Sequence, residues 1–156
     1  MKAILTILGI FLITITSCNC QKDTVSSNAL SSETNTQNEM AIIKYEATSR
    51  GLALNIKVEN QVVYVSRVRD FKDYEVKIKI SEADWKEIIM LTKEVDLAKV
   101  KDLKWPTEKR FYDGAAHANI IFISGGVEYA ANGFDHGYPP IEIEKLVNKI
   151  LKLTEK

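Results

Sequence analysis

Residues 52–59 read Leu52-Ala53-Leu54-Asn55-Ile56-Lys57-Val58-Glu59. Apolar side chains fall at every second position, which is the period of a β-strand with one face in a core. The pattern extends backwards. Ala41, Ile43, Tyr45 and Ala47 alternate with Ile42, Lys44 and Glu46, so a second strand precedes the first. It also extends forwards. Asn60-Gln61 sits where a tight turn belongs, followed by the β-branched and aromatic run 62–68. Residues 70–73 form the next turn, and residues 74–80 return with Val76, Ile78 and Ile80 on one side and Glu75, Lys77 and Lys79 on the other. Connections this short favour an antiparallel meander of four strands.

Ser81 stops the fourth strand and opens a helix. Ser81-Glu82-Ala83-Asp84 sets an acid three residues after a hydroxyl, a variant of the capping box. Trp85, Ile88, Ile89, Thr92 and Val95 recur at helical spacing and make a face for the sheet. Residues 97–110 have no clean period and read as a long loop, a length that in small domains often accompanies function. Its basic residues Lys99, Lys101, Lys104, Lys109 and Arg110 suit either an anion or a solvated surface shared with neighbouring acids. Gly125-Gly126 is a two-residue hairpin turn between two further strands. A last helix is expected to begin at Pro139-Pro140, because proline suits a first helical turn. Ile143, Leu146, Val147 and Ile150 give its buried stripe, with Glu142 and Glu144 at its positive end and Lys149 and Lys152 at its negative end. The expected fold is α+β: a four-strand meander and then a hairpin in one antiparallel sheet, with two helices packed on one face.

Upstream of the domain, Lys2 precedes an uncharged apolar run over residues 3–16. The run is short for a spanning helix and has the length of a secretory h-region. It ends in Ile15-Thr16-Ser17-Cys18. These residues resemble a bacterial lipoprotein signal, in which the cysteine is lipidated and becomes the new N-terminus. Thr16 and Ser17 stand where alanine or glycine is more usual. The expected organisation is a signal peptide over residues 1–17, a lipidated terminus and disordered tether over 18–39, and one α+β domain over 40–156. Residues 21–39 are polar and lack periodicity, so they bury too little to offset their ordering entropy. Acyl chains on Cys18, each worth about 0.8 kcal/mol per buried methylene, would hold the protein stably on a membrane of the cell envelope, on an outer-membrane or periplasmic face.

Charge excludes one class. The chain has 21 Lys+Arg and 21 Asp+Glu. Loss of Lys2 with the leader leaves it one charge negative, which argues against nucleic acid as a partner. No cysteine follows Cys20, so the domain uses no disulfide.

Both histidines lie in one stretch, residues 111–140, each close to an aspartate and a glycine: Asp113-Gly114 before His117, and Asp135 and Gly137 around His136. With Gly125-Gly126 as the turn, His117 is expected opposite Phe134. His136 then becomes its diagonal neighbour on the outer face, and Asp135 points to the other side. A register shift of one residue reverses the assignment. Three readings fit. His117, His136 and Asp113 bind zinc or another divalent metal and serve a hydrolase. An Asp–His pair performs acid–base chemistry. Or the aspartates and histidines cap strand ends and brace the basic loop through bonds to backbone, and the edge Asp113, His117, Asp135, His136 and Tyr138 forms a non-enzymatic surface for an envelope protein or a small ligand. The third is preferred, with no cofactor and no catalytic residue assigned.

Residues 105–118, Trp105-Pro106-Thr107-Glu108-Lys109-Arg110-Phe111-Tyr112-Asp113-Gly114-Ala115-Ala116-His117-Ala118, and 134–140, Phe134-Asp135-His136-Gly137-Tyr138-Pro139-Pro140, resemble segments of small lipoproteins of Bacteroidetes-type bacteria. The similarity runs over most of residues 45–150. Those proteins carry no assigned activity, so the resemblance implies anchoring and fold, not chemistry.

Overall fold

A computed structural model describes residues 42–155. The expected signal peptide, Cys18 and the expected tether lie outside the described residues. Seven strands form one antiparallel sheet: β1 (Ile42–Thr48), β2 (Ala53–Glu59), β3 (Val62–Ser66), β4 (Val76–Lys79), β5 (His117–Ser124), β6 (Val127–Ala130) and the two-residue β7 (Phe134–Asp135). Their order is β4-β3-β2-β1-β5-β6, with β7 beside β5 further along. The α+β architecture expected from the alternation is the one observed.

The β2–β3 hairpin turns through Asn60 and Gln61, both at positive φ (49° and 62°), and pairs Glu59 with Val62. Such turns match the twist of the flanking strands. Gly125 and Gly126 (φ 55° and 77°) do the same between Ser124 and Val127.

Helix α1 (Glu82–Lys93) starts at Ser81, whose Oγ accepts from the Asp84 amide at 3.0 Å and donates to the Asp84 carboxylate at 2.8 Å. Helix α2 (Glu144–Leu153) begins four residues later than the prolines suggest. Pro140 accepts from the Ile143 amide in a turn that precedes the helix, so the proline pair ends the sheet and sets up this turn. Glu142 consequently lies outside the helix. Lys149 leaves the helix terminus to Lys152 and reaches across to Asp84 (2.8 Å) and Glu87 (2.5 Å) on α1. The residues expected as the α2 stripe are all at the core: Ile143, Leu146, Val147 and Ile150.

One face of the sheet carries Ile43 and Tyr45 of β1, Leu54 and Ile56 of β2, and Ile120 and Phe122 of β5 into that core, where Ile88 and the α2 stripe meet them. The opposite face carries Lys44, Glu46, Lys57, Tyr64 and Lys77. Among the described residues no helix is long and apolar enough to cross a membrane.

The long segment after α1 is not featureless. It contains two 3-10 helices, Leu97–Asp102 and Lys109–Tyr112. Asp96 caps the first through the Ala98 amide at 3.2 Å.

Candidate functional site: a loop held over a buried aspartate

The hairpin β5–β6 keeps its expected register from Ser124–Val127 to Ile121–Ala130, and Ala131 still donates to Ile120. Beyond it, Ala118 pairs with Phe134 and His117 with Asp135. Asn132 and Gly133 together oppose Asn119, which is a β-bulge of one extra residue. The expected pairing of His117 with Phe134 is therefore corrected by one position, and every side chain after the bulge changes face. Phe134 enters the core. Asp135 joins His117 on the outer face, and His136 goes to the inner one.

Gly133 makes the bulge workable. A Cβ there would lie 2.2 Å from His117 Nε2, so the His117 ring occupies the space that any other residue would fill. The ring itself is exposed. His136 Nδ1 lies 2.8 Å from the hydroxyl of Tyr45, a core residue with no exposed surface. Burial lowers the His136 pKa from its ordinary value and raises that of Tyr45.

Asp135 is the centre of the arrangement. Its side chain has no solvent exposure. The carboxylate accepts from Thr107 Oγ1 (2.5 Å), the Lys109 amide (2.6 Å), the Arg110 amide (3.0 Å) and Arg110 Nη1 (3.0 Å). Burial alone would raise its pKa. The bonds from Thr107, Arg110 and Lys109 outweigh that and hold it at about 2. Four donors, one of them cationic, all favour the ionised form. The Arg110 side chain is itself only 5% exposed, and a second bond from Nη1 reaches Thr107 O at 3.2 Å. Its Nε is buried without a partner, which subtracts from what the other bonds contribute.

This node sets out the loop above it. Arg110 lies between two rings, 4.8 Å from the Trp105 centroid and 4.3 Å from that of Phe111. Lys109 Nζ sits 3.8 Å over Tyr138. Asp113 closes the 3-10 helix in the left-handed conformation (φ 61°), and the Gly114 amide bonds back to Lys109 O. Phe111 (66% exposed) and Tyr112 (71%) are left standing in solvent, with Tyr138 and Trp105 about two-fifths exposed beside them.

The residues singled out from the sequence divide accordingly. Asp113, His117 and Tyr138 are on the surface. Asp135 lies beneath that surface and braces it, as a bond-accepting carboxylate to the loop backbone. His136 faces the core edge. The trio His117, His136 and Asp113 is not brought together: the two histidines are on opposite faces, and Asp113 is 3.8 Å from Arg50. Among the described residues no three His, Cys, Asp or Glu side chains group in a way that would hold a metal ion. Arg110 departs furthest from the solvated-surface reading given to the basic loop. The clue available in sequence was its position between Trp105 and Phe111, since a guanidinium stacks well on rings.

Comparison with family models, with curated proteins and with solved structures gives no match to this chain.

Proposed function

We propose that this is an exported, lipid-anchored protein of the cell envelope, attached through Cys18, whose domain is a non-enzymatic binding module. One observation supports the module most directly. A buried ion pair with three further hydrogen bonds fixes a loop whose tip, Phe111 and Tyr112, is left bare. Burying a charge pair is costly and seldom the most stable use of a site. Fixing an exposed loop in advance, however, removes the ordering entropy from any later binding step. Exposed aromatics next to an arginine are also the side chains that carry most energy at protein surfaces made for recognition.

The anchor is tested by the Cys18→Ser variant, which should leave the membrane fraction; retention there would contradict lipidation. The module is tested by a photo-crosslinking side chain placed at Tyr112 or, as a control, at Glu94 in the full-length protein. Adducts are expected from position 112 alone, and equal labelling at both would remove the case for the loop tip as a contact surface. A calorimetric zinc titration separates the metal-dependent hydrolase alternative: stoichiometric heat that vanishes in His117→Ala, His136→Ala would favour it instead.

A further inference from the structure

The rim has a composition and a position that identify what it meets. Its rings are Trp105, Phe111, Tyr112 and Tyr138, and the cations among them are Lys109 and Arg110. Tryptophan and tyrosine favour the headgroup level of a bilayer because one end of each ring is apolar and the other polar. The long side chain of Lys109 beside them suits the polar layer, whereas Arg110 stays paired with Asp135 beneath the rings. Phe111 and Tyr112, the two most exposed rings of the rim, sit next to each other at the end of a four-residue turn. That makes a tip of two adjacent exposed rings, suited to entering a soft interface. Arg110 is balanced by Asp135 and Arg50 by Asp113, so within residues 104–113 Lys104 and Lys109 stand against Glu108, an excess of one positive charge toward anionic lipid.

We propose that the Trp105–Tyr138 rim is a second membrane contact, which lays the domain against the bilayer that holds its lipid anchor. The proposal rests on the anchoring reading for its biological setting. Chain geometry permits it. The described residues begin at Ile42, which pairs with Ile123, whereas the rim lies at the other end of β1, where Thr48 pairs with His117. These ends are about 20 Å apart at the rise of a strand. The 24 residues from Cys18 to Ile42 span at most about 80 Å when extended, more than enough for the domain to turn its rim to the surface. Attachment at one end places the rim at an effective concentration near millimolar, so a contact too feeble to recruit the free chain is populated in the anchored one. The tip is already fixed by Asp135, so insertion orders little new chain.

Trp105 provides the probe. The full-length lipidated protein carrying Trp85→Phe, in phosphatidylethanolamine–phosphatidylglycerol vesicles, should show Trp105 emission shifted to the blue. Lipids spin-labelled near the headgroup should quench it more than lipids labelled at the chain end. The reciprocal Trp105→Phe protein, which reports from Trp85, should be unquenched. Phe111→Ser with Tyr112→Ser should abolish the quenching while circular dichroism stays unchanged. In the anchor-free Cys18→Ser protein at excess lipid, the same pair should weaken partitioning by about tenfold for each ring removed. Unquenched Trp105 in protein whose Cys18 carries acyl chains by mass spectrometry overturns the second contact and leaves the anchor standing. Quenching in protein with an unmodified Cys18 overturns the anchor and supports the rim contact.

Discussion

The two ends of the β5 ladder are held by different physics. Toward Ser124 the sheet rests on apolar burial: Ile43, Phe122, Ile120 and Ile56 beneath the helices, where many contacts each contribute a little. Toward His117, Ala118 and Phe134 still enter the core, but the loop above the sheet depends on one carboxylate with four donors. Apolar packing is redundant and tolerates a volume-conserving exchange. A buried charge does not, because removing one partner leaves the other desolvated and unpaired. The first end makes the fold; the second gives the fold a shaped edge.

Substitutions sharpen that contrast, beginning with the largest effect. Phe122→Ala should cost about 3–5 kcal/mol and lower protection throughout the sheet, measured by denaturant unfolding with hydrogen exchange. Asp135→Ala strands Arg110 and should cost a similar amount, about 3–5 kcal/mol. Its damage should concentrate in residues 105–112. If both variants perturb the same amides, the two ends are one unit and the contrast fails.

A pH titration separates the ends at lower cost. The Asp135 pKa is depressed to about 2, below an unfolded value of about 3.9. Its stabilisation is therefore complete above about pH 4 and is lost as pH falls toward 2. His136 is likewise depressed, so its neutral form is favoured by folding. Its share is present above an unfolded pKa of about 6.5 and declines as pH falls through its lower folded value. Stability followed between pH 7 and pH 2 should fall in two stages, and His136→Asn should remove only the earlier one.

Smaller still is Gly133→Ala. The clash is with the far end of the exposed His117 side chain, so the ring can turn aside at a cost of about 1 kcal/mol. In a His117→Ala background the substitution should become nearly neutral. A double-mutant cycle with no coupling would show that the ring does not hold the bulge.

The same contrast explains what could be read in advance. Strand period, the turns at Asn60-Gln61 and Gly125-Gly126, the Ser81 cap and the α2 stripe are local signals, and each corresponds to an element that forms. The bulge at Asn132–Gly133 has one local signal, the glycine inside a strand pattern, which the expected hairpin register does not use, and a single extra residue there exchanged the faces of Asp135 and His136. Residues 107–110 have no period because their order comes from an acceptor 25 to 28 residues away in sequence. The bracing of backbone by an aspartate was a legible possibility from composition. Which aspartate, and that Arg110 joins it underneath, depended on the register. The prolines at 139 and 140 pointed to a helix start because they forbid a donor, yet that property serves a preceding turn equally well.

Amide exchange at Lys109 and Arg110 examines the pinned loop most directly. In the wild-type protein both amides donate to Asp135 and should exchange slowly, on the scale of neighbouring sheet amides. In Asp135→Asn they should approach unprotected rates while Tyr45 and Phe122 amides keep their protection. Fast exchange at both positions in the wild type, or full protection retained in the variant, would contradict the account.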